Sequence, residues 1–114
     1  MHELGIARSI IAAVRKEAER WANKQIAAVG IELGELSGVS ADALAFAFES
    51  IVKGTELESI ELHIKSTPNR RQCTRCHHAF VVVDFRTECP RCNERQTRLI
   101  GGDEIDIAYI EIEE

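Results

Sequence analysis

Two closely spaced pairs of cysteines constrain this chain more than any other sequence feature. Cys73 and Cys76 form one Cys-x2-Cys pair, Cys89 and Cys92 form the other, and twelve residues separate the pairs. Two such knuckles joined by a hairpin create a tetrahedral four-sulfur site that suits Zn²⁺ or, less often, iron. The surrounding segment has too few large apolar side chains to fold without a metal. The spacing therefore predicts a structural zinc site formed by Cys73, Cys76, Cys89 and Cys92.

The same cysteine pattern argues against catalysis. A zinc ion with four cysteine ligands keeps no coordination position for water, so the site is expected to stabilise the fold. The sequence also lacks a Gly-rich phosphate loop and a nucleophile with a paired base. We therefore expect a protein that is not an enzyme. His77 and His78 follow the first pair, and the sequence leaves open whether either one modulates the zinc site with pH.

Charge divides the chain into two parts of opposite character. The formal net charge is -5, yet residues 67–100 carry seven arginines against three acidic residues, and the last fourteen residues carry six acids and no base. Strand-forming sequence lies on both sides of the arginine-rich part. We therefore predict one α/β domain from residues 1–66 plus 101–114, with an inserted zinc-binding module at residues 67–100.

Apolar periodicity outside this module predicts two helices and three strands. Residues 3–22 and 39–53 place apolar side chains at spacings of three and four, which is typical of amphipathic helices. Residues 24–33, 59–65 and 104–113 alternate as half-buried strands do. The expected fold is α+β (mixed α/β), with two helices on a small three-stranded sheet and an inserted four-cysteine module like a zinc ribbon.

Composition also limits the location and the partners. The apolar stretches are too short to cross a bilayer, and the first residues lack a signal pattern, so we expect a soluble cytoplasmic protein without a membrane partner. The acidic net charge and an aromatic content of 5% oppose nucleic-acid binding. The local arginines keep one alternative open, a zinc-ribbon adaptor that binds nucleic acid or docks onto a protein.

The extreme N-terminus offers a second possible metal site. The α-amine of Met1, the backbone nitrogen of His2 and the His2 imidazole can close adjacent chelate rings around one cation. Nitrogen ligands in a near-planar array suit Ni²⁺ or Cu²⁺, and the Glu3 carboxylate can add an oxygen ligand. A histidine at position 2 is also common as a mere helix-start residue, so the residues alone leave both interpretations open.

Motifs along the whole chain resemble those of the HypA/HybF family of nickel metallochaperones. They occur in the family's order: Met1-His2-Glu3-Leu4, Gly34-Glu35-Leu36-Ser37-Gly38-Val39, Ala45-Phe46-Ala47-Phe48-Glu49, Lys53-Gly54-Thr55, the two cysteine pairs and Gly102-Asp103-Glu104. The resemblance implies nickel delivery to [NiFe]-hydrogenase precursors, with a HypB-like GTPase as partner, and in some members delivery to urease. It implies that His2 is the nickel ligand, helped by Met1 and Glu3, and that the four cysteines hold zinc.

Two positions depart from the family pattern. Gly5 stands where the family commonly has serine, and glycine lowers helix stability. Ser40, a suitable N-cap for the second helix, stands where an acidic residue is often linked to nickel, and Asp42 follows two residues later. We count neither Ser40 nor Asp42 as a ligand. The nickel ligands beyond His2 stay open, as does the choice between a monomer and a homodimer.

Overall fold

The structure is a computed structural model that describes residues 2–22 and 24–113, with side chains from Glu3 onward. Among these residues there are two helices and six strands. The elements are α1 (His2–Arg20), β1 (Gln25–Gly34), α2 (Ala41–Val52), β2 (Glu61–Thr67), β3 (Arg70–Cys73), β4 (Ala79–Val81), β5 (Thr97–Gly101) and β6 (Ile105–Glu113). None of the helices in these residues is long and apolar enough to cross a membrane.

The strands form two separate three-stranded sheets, ordered β2-β1-β6 and β4-β3-β5. The expected α+β fold, with two helices, a small three-stranded sheet and a four-cysteine module, is confirmed. The three short strands of the second sheet were not predicted from the sequence. In that sheet β3 lies in the centre and pairs antiparallel with both β4 and β5.

The chain divides into two compact units. The second unit contains the predicted module of residues 67–100 together with the turn that follows β1. The nickel-binding and zinc-binding roles assigned to the two regions stay predictions. The first unit comprises Met1–Glu32, Val39–Lys65 and Asp106–Glu114, and the second comprises Leu33–Gly38 and Ser66–Ile105.

The hydrophobic core of the first unit lies between the two helices and one face of the first sheet. Helix α1 places apolar side chains on this core at spacings of three and four, as the sequence pattern predicts. Leu44 and Phe48 of α2 are buried one turn apart for the same reason. The buried residues of this core are Ala7, Ile10, Ile11, Val14, Ile26, Val29, Ile31, Leu44, Phe48, Val52, Leu57 and Ile60.

Local capping chemistry sets the start of α2. Ser40 has extended backbone angles, and its hydroxyl accepts a hydrogen bond from the N–H of Ala43 at 3.2 Å, so Ser40 is the N-cap as predicted. Asp42 lies in the first turn, where its charge favours the helix dipole. Past the helix end, Gly54 adopts a φ of 79°, which glycine tolerates without strain.

The face of the first sheet that points away from the helices carries a polar and aromatic cluster. Leu62 and Ile64 pack against the core, so His63 between them points to the opposite face. The Tyr109 hydroxyl lies 2.8 Å from Nδ1 of His63. A Cβ atom on Gly30 would lie 2.1 Å from the Tyr109 ring. Tyr109 thus covers the central strand, and β1 is buried at consecutive positions instead of alternating as expected.

The second unit joins its segments through backbone hydrogen bonds to Leu33–Gly38, which comprises the end of β1 and the turn after it. The N–H of Gly34 donates to the carbonyl of Glu104 at 2.8 Å, and the N–H of Leu36 donates to the carbonyl of Gly102 at 2.6 Å. These bonds connect the end of β1 to the segment between β5 and β6. The turn is therefore part of the fold that surrounds the cysteines.

Candidate metal centres

The four cysteines predicted to bind zinc converge in the second unit. All four are free thiols, and their Sγ atoms lie within 4.8 Å of one another. Sγ of Cys73 lies 3.6 Å from Sγ of Cys92, and Sγ of Cys76 lies 3.7 Å from Sγ of Cys89. In a tetrahedral site with Zn–S bonds of about 2.3 Å, the sulfur atoms are about 3.8 Å apart. The donor set and its spacing therefore fit Zn²⁺.

The two cysteine knuckles have the same local geometry. In each, the N–H two residues after the first cysteine donates to its sulfur: Arg75 to Cys73 at 3.3 Å, and Arg91 to Cys89 at 3.4 Å. Such N–H groups stabilise thiolates, since hydrogen bonds to the charged form favour it. Because only two residues separate the cysteines of each pair, the chain turns tightly and its backbone N–H groups point at the sulfur of the first cysteine.

The residue after each pair closes its knuckle in the left-handed region. His77 has a φ of 64° and Asn93 a φ of 65°. The N–H of each donates to the carbonyl of the first cysteine of its pair, at 3.1 Å for Cys73 and 2.8 Å for Cys89. Histidine and asparagine are enriched among non-glycine residues in this conformation. The backbone conformation of the turn thus accounts for a histidine at position 77. The neighbouring His78 stacks on Phe80 with ring centroids 6.1 Å apart.

The cysteine environment separates the pKa values of two thiols. Burial raises the pKa of Cys73, but hydrogen bonds from the N–H groups of Cys76 and Arg75 and from neighbouring thiols outweigh it and lower the value to about 7. The N–H of Glu94 lowers the pKa of Cys92, yet burial and the other three thiols raise it to about 12. The N–H donors around Cys73 thus favour its thiolate, which is the form that binds a metal.

In the described part of the chain, the buried hydrophobic cluster of the second unit lies around the cysteines. Its buried cluster consists of Cys73, Cys89 and Phe80, with Cys76, Val82 and Cys92 partly buried against it. One buried aromatic side chain contributes little compared with the conformational entropy lost on ordering the unit. A metal that joins both knuckles supplies the missing stabilisation, which agrees with the reasoning from the sequence.

The N-terminal site is only partly within the described residues. Met1 and the His2 side chain lie outside them, so the predicted nickel ligands from these two residues have no described geometry. Oε2 of Glu3 accepts a hydrogen bond from the backbone N–H of Ser40 at 3.2 Å. Hydrogen bonds from the N–H groups of Glu3 and Ser40 lower the pKa of the Glu3 carboxyl group. Glu3 is thus anionic at neutral pH.

The contact between Glu3 and Ser40 links the start of α1 to the N-cap of α2. This contact could not be predicted from the sequence, because 37 residues separate the two positions and no local pattern signals their pairing. It places Ser40 beside Glu3, which is one of the predicted nickel ligands. The Ser40 hydroxyl itself accepts from the N–H of Ala43, so it serves as a helix cap.

Comparisons with known proteins agree with the motifs. A family model described as hydrogenase/urease nickel incorporation metallochaperone, HypA, matches residues 1–112. The hydrogenase maturation factor HypA of Geobacter metallireducens is 35% identical over 113 residues, which cover 99% of this chain and 100% of that protein.

Two solved structures share the fold. A solution structure of a HypA protein superposes with a TM-score of 0.74 at 23% identity, covering 98% of this chain and 96% of the other. The solution structure of the Ni metallochaperone HypA from Helicobacter pylori gives a TM-score of 0.66 at 21% identity, covering 96% of each chain. The resemblance inferred from the sequence motifs is confirmed, and the chain belongs to the HypA family of nickel metallochaperones.

Proposed function

We propose that this protein captures Ni²⁺ at its N-terminus and delivers it during the maturation of [NiFe]-hydrogenase, with urease as a second possible destination. The observation that carries the proposal is the family match over residues 1–112, which includes both the Met1-His2-Glu3 start and the two cysteine pairs. Nickel is the cargo of this activity and zinc is a resident metal.

His2 is the principal nickel ligand in this proposal, and the Met1 amine and Glu3 complete the site. The anionic Glu3 carboxylate supports it, because an oxygen ligand must be deprotonated to bind a cation. One Glu3 oxygen also accepts from the N–H of Ser40. A carboxylate shared between a backbone donor and a metal holds that metal less tightly, which suits a site that must release its cargo.

Release follows from the small number of ligands. A partner that offers more nitrogen or sulfur donors takes Ni²⁺ by stepwise ligand exchange, since each ligand of the N-terminal site can leave independently. Apart from metal–ligand bonds, only N–H bonds of Met1 and His2 change, because these nitrogens lose protons when Ni²⁺ binds and regain them when it leaves. No residue acts as a nucleophile. The protein is accordingly a carrier and not an enzyme.

The four cysteines hold Zn²⁺ as a structural metal. Cys73, Cys76, Cys89 and Cys92 fill all four tetrahedral positions, so the ion stabilises the module without activating water. In this division of labour, residues 1–66 and 101–114 form the nickel-binding domain, and residues 67–100 form the zinc-binding module.

The proposed partners are a HypB-like GTPase and the precursor of the [NiFe]-hydrogenase large subunit. The protein acts in the cytoplasm, as a monomer or a homodimer, and neither a membrane nor a nucleic acid takes part. The assignment of these partners rests on family membership, because relatives carry the name of hydrogenase maturation factors.

A nickel titration tests the N-terminal site. Calorimetry on tag-free, zinc-loaded protein is compared with His2→Ala and with a chain extended by one residue before Met1. The control is His63→Ala, which removes an exposed histidine of β2 that plays no part in the proposal. We expect one saturable nickel site in the wild type and in the control, and its loss in the other two. Equal nickel binding by all four proteins would exclude His2 as the principal ligand.

A further inference from the structure

A two-residue hairpin in the second unit carries an unusual aromatic side chain. Val83 and Arg86 form an antiparallel bridge, and the N–H of Arg86 donates to the carbonyl of Val83 at 3.1 Å. Asp84 and Phe85 are therefore the central residues of the turn, with φ values of 53° and 61°. The side chain of Phe85 is 97% exposed to solvent.

Phe85 is unfavourable in this turn for two separate reasons. A two-residue hairpin turn with positive φ at both positions prefers Asn-Gly or Asp-Gly, and a bulky residue in the left-handed region is strained. Phenylalanine also gains its usual stabilisation from burial, and here it has none. Neither backbone conformation nor packing explains its presence. Strain at an exposed position is a recognised mark of a functional residue.

The neighbourhood of Phe85 is apolar and adjoins a groove. Val81 and Val83 are 48% and 62% exposed, so three large apolar side chains face solvent at one end of the unit. Beside them lies a groove of about 460 Å³. It is lined by Phe80, Val81, Val83, Asp84, Arg86, Glu88, Cys89, Pro90 and Asn93. We call Val81, Val83 and Phe85 the hairpin patch.

The hairpin patch lies in a segment with an excess of arginine, since residues 67–100 carry seven arginines against three acidic residues. Arg86 follows Phe85 directly, and Arg95 lines an adjoining cavity together with Glu88 and Asn93. In the part of the chain that the structure describes, none of the arginines from Arg70 to Arg98 forms an ion pair. An apolar patch with unpaired arginines beside it matches a surface in which an apolar pocket is bordered by carboxylates.

We propose that the hairpin patch docks onto a partner protein, with Phe85 as the anchor that fills an apolar pocket bordered by carboxylates. Exposed aromatic and arginine side chains are the residue types that dominate binding energy in protein interfaces. A nucleic acid fits the patch less well. A single exposed ring cannot stack successive bases.

The docking role of the hairpin patch rests on the proposed function in nickel delivery only for the choice of binding probes. The probes are the purified [NiFe]-hydrogenase large-subunit precursor and the purified HypB-like GTPase, each titrated with the zinc-loaded full chain. Phe85→Asn is the informative variant, because asparagine tolerates the left-handed region and keeps the turn. Phe46→Asn is the matched control, since Phe46 is 72% exposed on α2 in the first unit.

We expect Phe85→Asn to weaken binding to at least one probe by tenfold or more, while it raises the midpoint of chemical unfolding because the strain is relieved. Phe46→Asn should leave the affinity unchanged. A gain in stability together with a loss of binding is not expected of a residue with a structural role alone. A nickel titration of Phe85→Asn should match the wild type, which separates a failure of docking from a failure of nickel capture.

Several outcomes overturn the proposal. They are unchanged affinity of Phe85→Asn for both probes, equal weakening by Phe46→Asn, no binding of the wild type to either probe, and no gain in stability. Binding of wild-type protein to single-stranded RNA or to anionic lipid vesicles that Phe85→Asn abolishes, without an effect on either protein probe, would assign the patch to another class of ligand and would also overturn it.

Discussion

The end of β1 approaches another part of the backbone so closely that only glycine fits there. A Cβ atom on Gly34 would lie 2.2 Å from the carbonyl carbon and oxygen of Gly102 and 2.7 Å from the nitrogen of Asp103. Non-bonded carbon atoms prefer separations of about 3.5–4.0 Å. Because backbone atoms cannot swing aside as a side chain can, Gly34→Ala must push these two segments apart.

The size of the effect follows from what the displacement breaks. Overpacking of a well-fitted site costs about 1–3 kcal/mol. The hydrogen bonds from Gly34 to Glu104 and from Leu36 to Gly102 lie at the same place, and each contributes about 0.5–1.5 kcal/mol. We therefore expect Gly34→Ala to lower the free energy of unfolding of the second unit by about 2–6 kcal/mol.

Two other glycines provide matched controls with the same change in side chain. Within residues 2–22 and 24–113, a Cβ on Gly5 or on Gly38 would meet no atom within 4 Å outside its chain neighbours and its own helix backbone, but Gly38 has a φ of 78°. Gly5→Ala should stabilise α1 by about 0.5–1 kcal/mol, since it removes a glycine from a helix. Gly38→Ala should destabilise by about 1–2 kcal/mol through backbone strain alone. The predicted order of stability is Gly5→Ala, wild type, Gly38→Ala, Gly34→Ala.

Amide hydrogen exchange of the zinc-loaded proteins measures this order, with chemical denaturation as a second readout. The N–H of Leu36 reports on the second unit, because it donates to the carbonyl of Gly102. A loss of 2 kcal/mol corresponds to exchange roughly thirtyfold faster. If the Leu36 N–H exchanged as slowly in Gly34→Ala as in Gly5→Ala, the close approach of the two backbone segments would be refuted.

Three further experiments test the core, the sheet and the acidic pH limit by chemical denaturation. Leu44 is 0% exposed, so Leu44→Ala should lower the free energy of unfolding by about 2–5 kcal/mol. Gly30→Ala should destabilise because of the Tyr109 ring, and adding Tyr109→Ala should remove most of that loss. Hydrogen bonds from the Thr67 hydroxyl and from a backbone N–H lower the pKa of Glu104 below its ordinary value of 4.5. The Glu104 carboxylate therefore adds to the free energy of unfolding above pH 4.5, and this stabilisation is lost as the pH falls through the pKa of Glu104 in the folded state. Glu104→Gln should remove that dependence on pH.

Features that depend on neighbouring residues could be predicted from the sequence. The helices follow from apolar side chains three and four residues apart, and Ser40 caps α2 through a bond to a residue three positions away. The cysteine site follows from the spacing within each pair, because the N–H of Arg75 and of Arg91 reach a sulfur only two residues earlier. The helix pattern, the helix cap and the cysteine knuckles therefore each depend on a short segment of sequence.

Features that join distant segments could not be predicted in this way. Gly34 follows the predicted strand of residues 24–33, but the need for glycine there comes from Gly102, far along the chain. Glu3 was predicted only as a metal ligand, because nothing in the sequence points to its bond with the N–H of Ser40. The hairpin at Phe85 was missed because its turn lacks the glycine that normally marks one.

Transfer of nickel from this protein to a hydrogenase precursor tests the central claim most directly. Zinc-loaded protein carrying radioactive nickel is mixed with the nickel-free large-subunit precursor, in the presence of a chelator that traps free Ni²⁺. We predict that the precursor acquires the label from the wild type and from His63→Ala, but not from His2→Ala or from the chain extended before Met1. Transfer from His2→Ala at the wild-type level, or loss of all wild-type nickel to the chelator, would contradict the account.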